Sequence, residues 1–453
     1  MPEPIRVLHF ADLHVGMENY GKLDPQTGIS SRIRDFLDRL DEVVQYAFDH
    51  DADLVIFAGD AFKTRDPDPT QQREFARRIK HLADRIPVFM LVGNHDIPGM
   101  AARATSIDIF RTLEVPNVLV GRKIEAQVIE TKRGPVFLGW VPFPVRNRLI
   151  AQEEHRGASV EELDRAVETL VSGELAELAR QAAEHDMPRV LVGHFSVSGA
   201  TYGSERSVML GRDLVVQKSA LADPAWDYVA LGHIHKHQNL TAGDSPQPLP
   251  RSHPSTSLRS AQDARTGEGS DSPSPVGDLT DGGRGRGMRV IPPLVYSGSL
   301  ERIDFGEEVE DKGFCWLDLA RGATRWEFVR VHARPFRTIK VDAREEDDPT
   351  AAVVAKIGER DIEGAIVRVL IRLREGQEAA LRRREVERAL ERAESIAAIS
   401  TEVERETRIA GVGSTPEALT PLQWTERYFV SKNKSPERVR QVLKAAEGLF
   451  NDE

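Results

Sequence analysis

Cysteine is almost missing from this chain: Cys315 is the single one among 453 residues. One thiol closes no internal disulfide and excludes zinc sites built on several cysteines. Long hydrophobic runs are missing too. Stretches such as Leu54–Ala58 and Val88–Val92 are far too short to cross a bilayer. The opening residues MPEPIRVLHF lack the basic segment and apolar stretch of a signal peptide. These absences predict a cytoplasmic protein with no membrane partner. Excess positive charge is also absent. Lys and Arg total 61 against 72 Asp and Glu, a formal net charge of −11. That argues against a surface coated for nucleic acid. It leaves room for a local basic groove and for a metal that brings its own positive charge.

Hydrophobic residues make up 40% and charged residues 29%, enough for a sizeable core. The length suggests about three domains. Up to about residue 330, short apolar runs alternate with longer amphipathic stretches. Val7-Leu8-His9-Phe10, Leu54-Val55-Ile56-Phe57, Val88–Val92, Val136-Phe137-Leu138 and Val190-Leu191-Val192 read as buried strands. Between the first two, Ile33, Phe36, Leu37, Leu40, Val43, Val44 and Ala47 recur at helical spacing. Strands alternating with helices predict an α/β layered fold.

Residues 241–290 break this pattern. They hold 8 Ser, 6 Pro and 8 Gly, against six large apolar residues. Such a segment buries too little apolar area to offset the entropy of ordering it, so a disordered insertion is expected. A strand should resume at Leu294-Val295-Tyr296. A smaller βαβαβ unit is expected after residue 335, with strands at Phe336–Val341, Val367–Leu373 and Ile396–Val403. Its helices are expected over Pro349–Ile357 and Glu378–Ala393. Gly411-Val412-Gly413 reads as a hinge. Two helices follow, opening at Thr420-Pro421 and Ser435-Pro436. The first carries Leu422, Trp424, Tyr428 and Phe429; the second carries Val439, Val442, Leu443, Ala446, Leu449 and Phe450. The predicted division is 1–334, 335–410 and 411–453.

The chemistry sits just past the apolar runs. In order come Asp12-Leu13-His14, Gly59-Asp60, Gly93-Asn94-His95-Asp96, Gly193-His194 and Gly232-His233-Ile234-His235. In an open α/β sheet, ligands bind at the carboxyl ends of strands. Five strand ends would therefore deliver carboxylate, amide and imidazole groups to one edge. With no thiolate, that set suits Mn, Fe or Zn. It exceeds what one tetrahedral zinc needs, whereas two ions about 3.5–4 Å apart would use it fully. Such a pair activates water near neutral pH and clamps the oxygens of a phosphate ester.

These five blocks resemble the calcineurin-like metallophosphoesterase superfamily over about residues 5 to 320. The block Tyr296-Ser297-Gly298-Ser299-Leu300-Glu301-Arg302-Ile303-Asp304-Phe305-Gly306-Glu307 resembles its SbcD-type branch, the nucleases of DNA double-strand-break repair. The resemblance implies a β-sandwich flanked by helices, a smaller α+β cap domain that helps position DNA, and C-terminal helices. It implies that Asp12, His14, Asp60 and His235 hold one metal. Asp60 would bridge to a second, completed by Asn94, His194 and His233. Manganese is the expected ion at both positions. His95 would face the scissile phosphate and protonate the leaving oxygen, and Asp96 would either orient His95 or cap a turn. Three residues after Asp60, relatives often carry His or Asp where this chain has Lys63. Lys63 and nearby Arg65 would either neutralise a phosphate or lie solvated. Arg368, Arg372, Arg374 and Arg382–Arg384 would contact phosphates or form a solvated face matched by Glu. The implied partners are DNA, an SbcC-like coiled-coil ATPase gripped by the C-terminal helices, and a second copy of the chain.

Three function classes remain open on this basis. One is a manganese-dependent DNA exonuclease and endonuclease of break repair. The second is a nucleotide phosphodiesterase or phosphatase of the same superfamily. The third is a non-enzymatic scaffold for DNA ends.

Overall fold

Strands buried on both faces set the architecture. A computed structural model describes residues 3–98, 104–145, 159–203, 214–242, 291–404, 420–432 and 434–450. The chain divides into two units. The larger comprises Met1–Arg337, Ile362–Val367 and Ala393–Ala397; the smaller comprises Thr338–Asp361, Arg368–Arg392 and Ala398–Glu453. The bulk of the Ser-, Pro- and Gly-rich stretch, 243–290, and the expected hinge at Gly411-Val412-Gly413 lie outside the described residues.

The larger unit carries β1 (Ile5–Phe10), β2 (Leu54–Phe57), β3 (Val88–Leu91), β4 (Val118–Gly121), β5 (Glu125–Thr131), β6 (Gly134–Val141) and β7 (Arg189–His194). It continues with β8 (Ser196–Val197), β9 (Val215–Val216), β10 (Tyr228–Gly232), β11 (Gln238–Asn239), β12 (Leu294–Tyr296), β13 (Gly313–Leu319) and β14 (Arg325–Arg330). One sheet runs β14-β13-β1-β2-β3-β4, a second β11-β12-β10-β7-β6-β5, and β8 pairs with β9. Strands β1 to β4 are mutually parallel, as are β6, β7, β10 and β12.

The two-residue period of a strand explains how continuous apolar runs serve two layers. Ile5, Val7, Leu54 and Ile56 join Val190, Val192, Tyr228 and Ala230 in the layer between the sheets. Leu8, Phe10, Val55 and Phe57 point the other way, onto helix α1 (Ser31–Asp49) and helix α2 (Pro69–Ala83). The helix Val160–Ala183 covers the second sheet with Val167, Val171, Leu175 and Leu178. The result is a β-sandwich flanked by helices. All seven apolar positions expected on one face of α1 are buried. Ser30 caps that helix by accepting from the Arg32 amide, and Asp68 with Gln71 forms a capping box on α2.

The three strands β15 (Phe336–Asp342), β16 (Ile366–Arg374) and β17 (Ser395–Glu404) pair in that order. Val367, Val369, Ile371 and Leu373 are buried at alternate positions of β16. The helix Pro349–Gly358 starts where Asp348 accepts from the Thr350 and Ala351 amides. The single charged helix expected over Glu378–Ala393 is not formed. A 3-10 turn at Glu378–Ala380 and a short helix at Arg383–Ala389 replace it. The break falls at Leu381 and Arg382, where the Arg382 amide donates to Thr350 Oγ1 instead of to its own turn. Arg372 pairs with Glu402, Arg382 with Asp348 and Glu385, and Arg383 with Glu387, so these three are matched by carboxylates, while Arg368 donates to Thr338 Oγ1. The terminal helices span Pro421–Ser431 and Pro436–Phe450, the first capped by Thr420. The side chains of Trp424, Ala446, Leu449 and Phe450 lie outside the described residues.

Candidate metal centre

The loops after β1 and β2 are laced together by backbone bonds. The amides of Asp12, Leu13, His14 and Val15 donate to the carbonyls of Gly59, Asp60, Asp60 and Ala61. This lacing holds Asp12, His14 and Asp60 at positive φ, 51°, 50° and 63°. His233, past β10, has φ 95°. Left-handed backbone at a non-glycine residue costs on the order of 1 kcal/mol and persists only where the surroundings enforce it. Four of the seven expected ligands therefore sit in strained turns. Gly93 shows how close the loops come: a Cβ there would lie 2.1 Å from Asp60 Oδ1.

Together these turns aim the side chains at one point. His14 Nε2 lies 3.0 Å from His235 Nε2 and 3.7 Å from Asp60 Oδ2. His194 Nε2 lies 3.4 Å from the same Asp60 oxygen and 3.0 Å from Asn94 Oδ1. Asn94 Oδ1 is in turn 2.9 Å from His233 Nδ1. Asp12 accepts from the His233 amide through both oxygens, at 2.9 and 3.0 Å. Three groups, Asp12–His14–His235, His14–Asp60–His95 and Asp12–Asp60–His194, each bring their ligand atoms within 4.8 Å of one another. The seven expected ligands thus form one chain, with Asp60 Oδ2 between its two ends.

The chemistry of the donor set fits divalent ions. His194 Nδ1 donates to the Ala58 carbonyl at 2.7 Å, so Nε2 is the nitrogen that faces the oxygens of Asp60 and Asn94. Oxygen acceptors converging on that nitrogen need a cation between them, a proton in the metal-free protein or a metal ion in its place. The local field agrees. Burial alone would lower the His194 pKa, yet the Asp60 and Asp12 carboxylates push it up to about 9. Burial also acts against ionisation of Asp60, but His194 and His95 hold its carboxyl well below the usual range. Asp12 is raised by burial, opposed by His194 and His235. His14 is lowered by burial first and by His95 next. Donor atoms that share an ion at about 2.0–2.2 Å stand roughly 3–3.5 Å apart, and His14–His235, His194–Asn94 and His233–Asn94 at 3.0, 3.0 and 2.9 Å and His194–Asp60 at 3.4 Å are that close.

His95 stands beside the cluster, half-buried, with its ring 4.7 Å from that of His14. Its amide donates to Asp60 Oδ1 at 2.8 Å. Its Nδ1 donates to the carbonyl of Lys63 at 2.7 Å, which leaves Nε2 as the ring nitrogen outside that bond. Asp96 does not orient this ring, which corrects one expectation. Its oxygens accept from the amides of Asp60, Ala61 and Gly93 and from Ser106 Oγ. The carboxylate is fully buried and spent on tying the β2 and β3 loops together, so it has nothing left for an imidazole. Burial and the Asp60 charge push Asp96 up to about 7 while Gly93 and Ser106 pull against them. Asp96→Ala would strand three buried amides. A loss of about 3 kcal/mol in unfolding free energy is expected, readable by denaturant titration. Lys63 is half-buried and Arg65 exposed, and neither side chain bonds to the described residues.

Three contributors carry no ligand-like pattern in the sequence. One is the Lys63 carbonyl, a backbone group. Another is Phe143, whose ring lies 5.5 Å from that of His233. The third is Glu307, whose Oε1 is 2.9 Å from His235 Nδ1 although 72 residues away along the chain. The other charged residues of its block serve packing. Glu301 accepts from the Arg302 and Arg334 amides, and Arg302 grips the carbonyls of Glu307, Glu310, Ala333 and Arg334.

The family model of the calcineurin-like phosphoesterases matches residues 5–237. The chain belongs to that family. Calcineurin-like phosphoesterases use divalent metals, in keeping with the clustered ligands. The chain is 28% identical over 248 residues to the SbcD component of the nuclease SbcCD from Bacillus subtilis (strain 168), covering 52% of this chain and 58% of that one. It is 26% identical over 240 residues to the Escherichia coli (strain K12) protein of the same name, covering 52% and 57%. DNA double-strand break repair protein Mre11 of Thermoplasma acidophilum is 36% identical over 92 residues, 20% of this chain and 23% of that one. The chain therefore spans about three fifths of the length of the SbcCD relatives. No helix among the described residues is long and apolar enough to cross a membrane.

Proposed function

We propose that this phosphoesterase is a DNA nuclease of double-strand-break repair, hydrolysing phosphodiesters at a centre of two manganese ions. The observation that carries the reading is Asp60 Oδ2, within 3.7 Å of His14 Nε2 and 3.4 Å of His194 Nε2. One carboxylate oxygen in reach of both ends of the donor chain is what a shared ligand requires. Asp12, His14, Asp60 and His235 would hold one ion; Asp60, Asn94, His194 and His233 would hold the other. When bound, the ions supply an activated water and a positive clamp on the phosphoryl oxygens.

The protein's own groups do the rest. His95 presents Nε2 to the phosphodiester, donates to a phosphoryl oxygen, and passes its proton to the leaving oxygen. The Lys63 carbonyl accepts from Nδ1–H and so fixes the ring, and the proton that Nε2 donates is one taken up there from water. The Lys63 ammonium and Arg65 neutralise neighbouring phosphates of the strand. Asp96 holds the two loops that carry Asp60 and His95 in register.

DNA as substrate rests on the names of the SbcCD and Mre11 relatives; a coiled-coil ATPase partner rests on the resemblance of the sequence to the SbcD-type branch. The residues from 335 to 410 act as a cap that positions duplex, and the chain works as a homodimer. The helices within 411–453 bind the ATPase. Tyr428 and Val430 are 54% and 58% exposed, an apolar surface that such a partner would cover. The test is cleavage of linear duplex and single-stranded DNA with Mn²⁺, with and without the ATPase. Metal-dependent release of nucleotides or short fragments is expected. Hydrolysis of small phosphodiesters with no cleavage of any DNA would assign the chain to a different substrate. No hydrolysis at all would leave a scaffold.

A further inference from the structure

Three buried imidazoles of the centre are held in three different ways. His194 Nδ1 meets a neutral carbonyl, that of Ala58, at 2.7 Å. His14 Nδ1 is buried and has no hydrogen-bond partner among the described residues. His235 Nδ1 meets a carboxylate, Glu307 Oε1, at 2.9 Å. That carboxylate is itself built in. The Glu307 side chain is fully buried, and its other oxygen lies 2.9 Å from Lys312 Nζ and 3.0 Å from the Ile303 amide. Lys312 is buried as well. Its ammonium also reaches Glu310 at 2.9 Å and the His235 carbonyl at 3.3 Å. The guanidinium of Arg302 pins the backbone on both sides, at the carbonyls of Glu307 and Glu310.

We propose that Glu307, braced by Lys312, is a positioning residue that sets metal affinity at the Asp12–His14–His235 end of the centre and not at the Asn94–His194–His233 end. The inference rests on the two-metal reading above. A carboxylate accepting from Nδ1–H leaves the Nε2 lone pair directed at the donor cluster and makes it a stronger donor. The Glu307 carboxylate thus faces His235 Nδ1 through one oxygen and Lys312 and the Ile303 amide through the other, while the Nδ1 partner of His194 is a neutral carbonyl. Lys312 has a complementary duty. It keeps a carboxylate with no solvent contact charged and in place, where an unpaired one would be ejected or protonated. The loop thus links a ligand at one strand end to a helical turn 72 residues later, which explains why both Glu307 and Lys312 are buried at all.

The experiment uses the full chain. Mn²⁺ is titrated into metal-free wild type and Glu307→Gln, with electron paramagnetic resonance counting free ion and reporting spin coupling between neighbours. Wild type should bind two ions per chain with a coupled signal. In Glu307→Gln one site should weaken about 10- to 100-fold while the other keeps its affinity. The coupled signal should then be replaced by that of a single ion at limiting Mn²⁺. Glu307→Leu, which removes the hydrogen bond as well as the charge, should weaken the same site further. A purely structural role would weaken both sites together, and that result overturns the proposal, as does an unchanged first site in a folded variant. Should the variants fail to fold, the wild type decides. Histidine-selective ¹⁵N spectra of the metal-free chain should give His235 as the Nδ1–H tautomer, and an Nε2–H tautomer contradicts the proposal. Failure of wild type to bind two ions sinks the two-metal reading instead, and is distinct from either outcome.

Discussion

His95→Ala should lower DNA cleavage by about two to four orders of magnitude while the bound manganese stays at two ions per chain. That range is what a positioned acid contributes. The separation of effects follows from geometry. His95 is held by its amide to Asp60 Oδ1 and by its ring to the Lys63 carbonyl, not by being a necessary member of the donor chain. Its ring does lie close to His14, and the group His14–Asp60–His95 is tight enough to hold an ion. The variant therefore discriminates. Loss of an ion together with activity would make His95 a ligand. Loss of activity alone, with two ions still bound, would make it the acid. Lys63→Met is the companion: the carbonyl that orients His95 survives, so the change should act on DNA affinity and not on the chemical step.

Asp60→Asn should abolish cleavage, by more than about 1,000-fold, and here the metal should be lost with it. The amide can still accept from the His95 amide, so the loop survives. What disappears is the charge within reach of His14 and His194. That charge also raises His194 to about 9 in the metal-free protein, against burial. Metal needs a neutral His194, so in wild type protons compete with metal until the pH passes about 9. Apparent manganese affinity at that end should rise about tenfold per pH unit toward pH 9 and then flatten. Calorimetric titrations of wild type at several pH values would measure this curve. A pH-independent affinity in wild type would contradict the assignment of His194.

The side chains that the fold brings together around Asp60 were legible in the sequence because strand ends announce themselves. Val7–Phe10, Leu54–Phe57 and Val190–Val192 are apolar on both faces, and each stops shortly before a Gly, Asp or His. What could not be read is what depends on a second segment meeting the first. The positive φ of Asp12, His14 and Asp60 comes from lacing two loops together, and no local signal distinguishes those residues from ordinary turns. The Lys63 carbonyl orients His95 whatever side chain stands at 63, so the identity of that residue carries no trace of the contact. Asp96 follows His95 directly and invites pairing with it, yet three amides and a hydroxyl claim its oxygens. Glu307 is one of many glutamates until the fold brings it to His235. The helix expected over Glu378–Ala393 breaks because Thr350, some thirty residues earlier, takes the Arg382 amide.

The claim on which the rest depends is that Asp60 joins two ions held by side chains from five strand ends. Anomalous diffraction at the manganese edge, from crystals grown with Mn²⁺, tests it most directly. Two peaks about 3.5–4 Å apart are expected, one among Asp12, His14 and His235, the other among Asn94, His194 and His233, with the Asp60 carboxylate touching both. A single peak, or none within reach of Asp60, would contradict it.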